Sequence, residues 1–444
     1  MHSDKGDLLS SSDAPTPDYS SIGMTTYARL PKQRRNRYIV IGAVVAILAV
    51  VLSVAIAVPL SRKSTATEPT WEEYLAQAKE IMQRVPLVDG HNDFPWQVRK
   101  YWQNQLSLFD MHSDLSDYTH TDIPRLREGH VGAQFWAAYM PCGSQYKDAV
   151  RQTLDQIDVI KRISRKYSDT FDFVTTAKGI LDTHAAGKIG SLIGVEGGHS
   201  IDSSLGTLRV MYEVGVRYMT ITHNCNTPWA DNCLMTQQNT SEHNGLTEWG
   251  KTVIKEMNRL GMLVDLSHVS FKTMVDTLDV TEAPIIFSHS SAYAECNHHR
   301  NVPDYILEKT KQNNGIVMVT FVGSFINCPP NQLDRPELSQ VADHIDHIAD
   351  TIGHDFVGIG GDYDGMSNVP VGLEDASTYP NLVAELLSRG WSEENLEKLI
   401  GLNLVRVFED VEKVRDSMID IPPFDDILPV EDSESEANNT CRYR

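Results

Sequence analysis

The chain has 444 residues and a formal net charge of −21, with 39 Lys and Arg against 60 Asp and Glu. Nucleic acid rewards a basic face, so this balance argues against that class of partner. Hydrophobic residues make up 41% of the chain, which at this length fits one large or two medium globular domains.

Residues 1–38 are rich in Ser, Asp, Pro and Thr and lack apolar periodicity, so they read as a disordered tail. From Ile39 to Leu60 about 22 residues carry no charge, the length of a helix that crosses a bilayer. A cleaved signal peptide is the alternative, but its apolar core is shorter and it is not normally preceded by so long a polar stretch. Lys32, Arg34, Arg35 and Arg37 crowd the N-terminal flank against Arg62 and Lys63 beyond it. The positive-inside tendency then keeps the tail cytosolic and puts the remainder outside, as a single-pass type II signal anchor of the plasma membrane. Six cysteines, at 142, 225, 233, 296, 328 and 441, all follow the span, as do glycosylation acceptors at Asn239 and Asn438. Both features fit an outward-facing, oxidising compartment. Six cysteines allow fifteen pairings, and spacing does not choose among them.

Residues 61–70 form a Ser/Thr-rich linker, and Trp71 to Arg84 have the pattern of an amphipathic helix. Strand patterns follow at 85–91, 132–139, 189–196, 217–223, 262–268, 284–289, 316–321 and 356–362. Helical patterns between them include 148–167, 206–214, 246–260, 271–278 and 338–352. Eight strands alternating with helices predict an α/β fold, a (β/α)8 TIM-type barrel, over residues 71–422. An acidic tail is expected over 423–444.

The strand ends carry the functional argument. His91 and Asp93, Glu196, His223, His268, His289 and Asp362 each stand at the end of a predicted strand. Barrel active sites are assembled at that rim, from several strands at once. Each group alone would read as a satisfied buried residue or an exposed loop residue; six strands out of eight delivering one would not. Imidazole and carboxylate ligands suit zinc. Three histidines (His91, His268, His289) and two carboxylates (Asp93, Glu196) suffice for two ions sharing one carboxylate, for which Glu196 is placed between the two groups in barrel order. Two such ions roughly 3.5–4 Å apart hold a bridging hydroxide and polarise a carbonyl, which is the chemistry of hydrolysis without a covalent intermediate. His199, His298, His299, His344 and His347 read as structural or exposed, and Asp364 as a supporting residue.

Longer blocks are more specific than any of these residues. P-L-V-D-G-H-N-D-F-P-W, Q-F-W-A-A-Y-M-P-C, S-L-I-G-V-E-G-G-H-S-I-D-S-S-L-G, T-H-N-C-N-T-P-W-A-D-N, F-S-H-S-S-A-Y, R-N-V-P-D and G-I-G-G-D-Y-D-G resemble the membrane dipeptidase (renal dipeptidase) family of zinc peptidases, nearly collinearly from Trp71 to Val411. The resemblance implies one zinc on His91 and Asp93, a second on His268 and His289, and Glu196 as the bridge. It implies substrate binding by His223 and Arg300 and catalysis by Asp362, with Asp362 relaying a proton, His223 steadying the oxyanion and Arg300 pairing with the substrate's free carboxylate. Implied substrates are dipeptides, with Cys-Gly conjugates and β-lactam rings among them. Implied disulfides are Cys142 with Cys225 and Cys296 with Cys328, leaving Cys233 without a counterpart.

One departure is a C-terminus ending E-D-S-E-S-E-A-N-N-T-C-R-Y-R, which lacks the apolar tail of a lipid-anchor signal, so the N-terminal span takes over that task. Alternatives are another amidohydrolase activity on the same barrel, which would not need Arg300, and a non-catalytic surface-binding protein, which would have lost a ligand. The resemblance also implies a disulfide-linked homodimer through Cys441. Cys441→Ser is expected to convert a reductant-sensitive covalent dimer to monomer on non-reducing gels without loss of activity. A covalent dimer that survives it and disappears in Cys233→Ser would place the bond at the other cysteine.

Overall fold

The computed structural model describes residues 32–61, 69–329 and 332–429. The chain divides into two compact units, Met1–Glu68 and Pro69–Arg444. In the first, one helix runs Lys32–Ser61, and its Arg34–Ser53 stretch has a mean hydropathy of 2.1 with exposed side chains. At about 1.5 Å per residue it is long enough to cross the hydrocarbon core of a bilayer. The same length and composition would serve a signal sequence. The tail over 1–31, the linker over 62–68 and residues 430–444 lie outside the described residues, and Asn438 and Cys441 with them.

The second unit begins with the expected helix Trp71–Arg84. Thr70 starts it through a capping box: its hydroxyl accepts the Glu73 N–H (3.3 Å) while Glu73 Oε2 accepts the Thr70 N–H (2.7 Å). Nine parallel strands follow: β1 (Leu87–Asn92), β2 (Val131–Tyr139), β3 (Phe171–Phe173), β4 (Ile189–Glu196), β5 (Val216–Thr220), β6 (Leu263–Asp265), β7 (Ile285–Phe287), β8 (Ile316–Val319) and β9 (Val357–Ile359). Pairing runs β2-β1-β9-β8-β7-β6-β5-β4, and β2 pairs with β4, closing an eight-stranded barrel. The predicted architecture is the observed one. The ninth strand, β3, pairs only with Ile189–Ser191 at the start of β4, before β5 joins at Ile193. Its three residues are too few to show a period, so the pattern of the sequence passes over it.

Five strands stop sooner than their apolar runs suggest, at Thr220, Asp265, Phe287, Val319 and Ile359. The cause is local. At the end of β6 the Asp265 carboxylate accepts the N–H groups of Ser267 (3.0 Å) and Ser288 (2.8 Å), which takes them away from the ladder. His268 and Asp362 then turn into the left-handed region, at φ 68 and 64. His223, His268, His289 and Asp362 therefore stand on the loops just past the strands. At the other boundary, the chain stays on the barrel unit beyond residue 422: the Phe424 carbonyl accepts from Arg209 (3.0 Å), and Phe424 and Leu428 pack against the core.

Helices predicted by periodicity appear at Ala149–Lys166, Leu205–Glu213, Glu248–Leu260, Phe271–Val280 and Leu338–Ile352. Ala177–Ala185, Asp304–Gln312, Tyr379–Ser388 and Asn403–Ser417 complete the outer layer. Thr176, Ser204, Thr247 and Ser270 each cap a helix by accepting a main-chain N–H three residues on.

Within the barrel, Val88, Phe135, Leu192, Tyr218, Ile286 and Met318 belong to one buried cluster, which Leu404, Phe408 and Val411 of the last helix extend. Gly194 decides the shape of this interior, because a Cβ there would overlap the Tyr218 ring. The space it leaves lets the Tyr218 hydroxyl reach Gly90 O (3.2 Å) and His91 Nδ1 (2.9 Å). Gly194→Ala is therefore expected to lower stability by about 3 kcal/mol, the upper part of the overpacking range. Gly143→Ala, where a Cβ meets nothing within 4 Å, should stay within about 0.5 kcal/mol of wild type. Denaturant unfolding of the ectodomain measures both, and equal stability of the two variants would contradict this packing.

Candidate metal centre

Glu196 is the last residue of β4, buried at 4% exposure. Four imidazoles converge on its Oε1: Nε2 of His268 at 3.1 Å, His289 at 3.5 Å, His91 at 3.6 Å and His223 at 3.8 Å. Asp93 Oδ2 lies 3.3 Å from His91 Nε2. The residues that could share an ion fall into three overlapping groups: His91, Glu196 and His289; Glu196, His223 and His268; and His91, Asp93 and Asp362. All seven rim residues singled out in the sequence are thus brought together. His223 and Asp362, read above as substrate-binding and catalytic, stand in the same cluster as the expected ligands.

His91 and Asp93 converge for a reason other than simple strand alternation. The pairing of β1 with β2 slips between Asp89 and Asn92, and Asp93 has left the strand to stand before the helix Phe94–Trp102. Gly197, at φ 106, and Gly198 carry the chain away from Glu196, and a Cβ on Gly198 would overlap the Ile221 carbonyl and the Trp229 ring. Gly365 does the same beside the acids, since a Cβ there would overlap the carboxylates of both Asp93 and Asp362.

Outer contacts orient the rings. Nδ1 of His91 meets the Tyr218 hydroxyl (2.9 Å), Nδ1 of His268 meets Asn224 Oδ1 (3.0 Å), and Nδ1 of His289 meets Ser288 Oγ (2.7 Å). An amide oxygen only accepts, so the His268 proton sits on Nδ1 and its Nε2 is a bare lone pair. That lone pair lies 3.0 Å from His289 Nε2. His91 Nε2 is buried without a hydrogen-bond partner. Lone pairs turned toward one another in a dry pocket are costly unless a cation receives them, and the donor set of imidazole and carboxylate suits zinc. The residues present fit such a metal.

Electrostatics point the same way. Burial holds His223, His268 and His289 well below the usual imidazole range, with the Arg300 charge adding to it, so all three are neutral, the state in which an imidazole can offer a lone pair to a metal. Burial pushes Glu196 up to about 8 and Asp362 up to about 7. Burial also opposes a proton on His91, but Glu196 and Asp93 outweigh it and raise that ring to about 10. Without a metal, the carboxylates hold a proton where positive charge is wanted.

A cavity of about 570 Å³ opens onto this cluster. Tyr139, at the end of β2, lines it with its ring 4.9 Å from that of His223 and 5.2 Å from that of Trp96. Arg300 lines it too, at 3% exposure, with its guanidinium 5.2 Å above the Phe325 ring and 3.4 Å from His289 O. Among the described residues no carboxylate lies within ion-pair distance of Arg300. Asp364 turns away to accept the His120 N–H (2.6 Å) and so pins the loop after β9. Disulfides join Cys142 to Cys225 and Cys296 to Cys328, and Cys233 is a free, buried thiol at the start of the helix Cys233–Gln238. Of the remaining histidines, His199 and His344 are buried with main-chain partners, and His347 pairs with Glu295 and Asp304.

The model of the membrane dipeptidase family (peptidase family M19) matches residues 75–421. The chain belongs to this family. Dipeptidase 3 of Mus musculus is 47% identical to it over 366 residues, covering 82% of this chain and 71% of that protein. Dipeptidase 3 of Macaca fascicularis is 47% identical over 342 residues, covering 77% and 68%. Among solved structures, a metallopeptidase from Rhodobacter sphaeroides liganded with a phosphinate mimic of the dipeptide L-Ala-D-Ala is 26% identical, with a TM-score of 0.68 over 74% of this chain and 99% of that one. Dipeptidase AC, also of family M19, is 27% identical with a TM-score of 0.67, covering 74% of this chain and 98% of that one. A membrane dipeptidase is a metallopeptidase that hydrolyses dipeptides, and the converging ligands at the rim of this barrel agree with that chemistry.

Tyr218, Asn224, Asp265 and Ser288 were not singled out by the sequence. Their signal was weak: each is an ordinary strand or loop residue, and only the closed barrel brings it against a ligand ring. As a test of the centre, Glu196→Gln keeps size and removes the shared charge, so metal per chain by elemental analysis should fall and turnover approach zero. Full metal content with wild-type turnover would remove Glu196 from the bridging position.

Proposed function

We propose that this membrane dipeptidase is a cell-surface enzyme that hydrolyses dipeptides with two zinc ions per subunit. The convergence of four imidazole nitrogens on Glu196 Oε1 carries the reading. His91 and Asp93 would hold one ion, His268 and His289 the other, and Glu196 both. Bound zinc supplies Lewis acidity and lowers the pKa of the attacking water toward neutral. The chain's own residues do the rest. Arg300 receives the substrate's free carboxylate through its planar fork; a buried guanidinium without an anionic partner among the described residues supports this. His223 hydrogen-bonds the carbonyl oxygen as it gains charge. Asp362 takes a proton onto its carboxylate oxygen and returns it to the leaving amine nitrogen, a task suited to a carboxyl that burial pushes to about 7. Cys-Gly conjugates and β-lactam rings, whose carbonyls present the same problem, belong to the proposed range. Another amidohydrolase reaction on this barrel would leave Arg300 without a purpose.

Membrane placement rests on the helix Lys32–Ser61, used as a type II anchor after a cytosolic tail over 1–38, with the catalytic domain over 71–422 outside. The two disulfides and the exposed acceptor Asn239 fit an oxidising exterior. A homodimer joined through Cys441 completes the assembly.

A panel of L,L- and L,D-dipeptides, their amides and a carbapenem, assayed on the purified ectodomain with metal content measured, tests the whole reading. Arg300→Lys should lower kcat/KM on dipeptides by about 10- to 100-fold, the worth of a charged hydrogen bond, while zinc content stays unchanged. Wild-type cleavage of dipeptide amides at the rate of the free acids would refute the carboxylate-reading role.

A further inference from the structure

Beneath the rim two aspartates occupy corresponding places, each fully buried and each accepting a main-chain N–H two residues on and another from a nearby strand end. Asp89 accepts from His91 N (3.2 Å) and Gly361 N (2.8 Å), and its remaining oxygen takes the Tyr379 hydroxyl (2.5 Å). Asp265 accepts from Ser267 N (3.0 Å) and Ser288 N (2.8 Å) on one oxygen and from the hydroxyls of Thr220 (2.5 Å) and Ser288 (2.6 Å) on the other. The two differ in what lies beyond. Among the described residues no hydrogen bond leads from Tyr379 to a ligand ring, whereas Ser288 Oγ is 2.7 Å from His289 Nδ1.

We propose that Asp265 and Ser288 are positioning residues that fix the tautomer of His289 and thereby the hold on the second metal; this rests on the dinuclear reading above. Ser288 has one hydroxyl proton and three acceptors in reach, the Asp265 carboxylate (2.6 Å), His289 Nδ1 (2.7 Å) and, more distantly, Ser267 Oγ (3.4 Å). A charge-assisted bond to the carboxylate is the stronger, so the proton goes to Asp265. The serine oxygen then only accepts from His289, which places the imidazole proton on Nδ1 and leaves Nε2 bare, 3.5 Å from Glu196 Oε1 and 3.0 Å from His268 Nε2. If Asp265 were an amide, its NH2 would offer protons to Ser288, the serine would turn its own to Nδ1, and His289 would carry N–H at Nε2, aimed where the ion belongs. The same carboxylate also sets the backbone ahead of His268 through Ser267 N, and Ser267 Oγ accepts the His289 N–H (3.1 Å). One buried anion thus governs both histidines of the second site. Outer partners of ligating histidines are worth about 10- to 100-fold in metal affinity.

The test is metal affinity, read separately for the two equivalents by competition against a graded zinc chelator, in wild type, Ser288→Ala, Ser288→Thr and Asp265→Asn. Ser288→Ala keeps the main-chain bond to Asp265 and loses only the hydroxyl, so it remains informative if Asp265→Asn folds poorly. Expected are a second equivalent held about 10- to 100-fold more weakly in Ser288→Ala, a first equivalent unchanged, recovery in Ser288→Thr, and an unfolding midpoint of the metal-free protein near wild type. A second equivalent held equally in Ser288→Ala and wild type overturns this proposal alone. A wild-type protein that binds fewer than two equivalents overturns the dinuclear reading and this proposal together.

Discussion

A carboxylate taken out of water is costly unless charge and hydrogen bonds compensate it, and Glu196 is such a carboxylate, set where β4 ends inside a closed barrel. Much of the arrangement around it answers that cost. Four imidazoles, one from β1 and three from the loops after β5, β6 and β7, face one of its oxygens, yet three of them are kept neutral by their own burial. Rings that are neutral and a carboxylate that is buried leave negative charge and lone pairs in excess, and a divalent cation resolves both at once. The protein stability of this region and its affinity for metal are in that sense the same quantity.

The barrel supplies rigidity in layers beneath that point. Gly194 makes room for Tyr218, Tyr218 steadies His91, and Asp89 and Asp265 tie the strand ends together where the ladder has stopped. Replacing ladder bonds by carboxylate bonds frees the chain to turn sharply, which is how His268 and Asp362 reach left-handed conformations at the rim. Irregularity at the strand ends is therefore built on very regular strands.

Much of this was legible in the sequence, and what was not has physical reasons. Eight apolar runs ending in titratable residues were enough for the barrel and for the cluster His91, Asp93, Glu196, His223, His268, His289 and Asp362. Strand ends were misplaced by up to three residues at β5, β6 and β9 because apolar composition continues after side chains have captured the N–H groups. β3 was invisible because a period needs more than three residues. Asp265 and Ser288 escaped notice because a hydrogen bond between neighbouring strand ends leaves no trace in a linear pattern. The helix Trp71–Arg84, by contrast, was recovered end to end, since its capping box and amphipathic face are both local.

The disulfide between Cys142 and Cys225 ties the loop after β2 to the loop after β5, with Cys142 Sγ 3.8 Å from the ring of His223. The second disulfide, Cys296 to Cys328, ties the loop after β7, which carries His289, to the segment after β8. Among the described residues no disulfide reaches the loop that carries His268, and the His268 and His289 rings are both held from below, by strand ends and a buried acid. The mouth of the cavity and its floor are thus fastened by different chemistry, one covalent and one polar. Variation in the outer parts of these loops can reshape the mouth without disturbing the rim histidines and acids beneath it. Divergence of substrate range within a lineage of such enzymes is then a matter of the upper loops, while the floor is free to stay as it is.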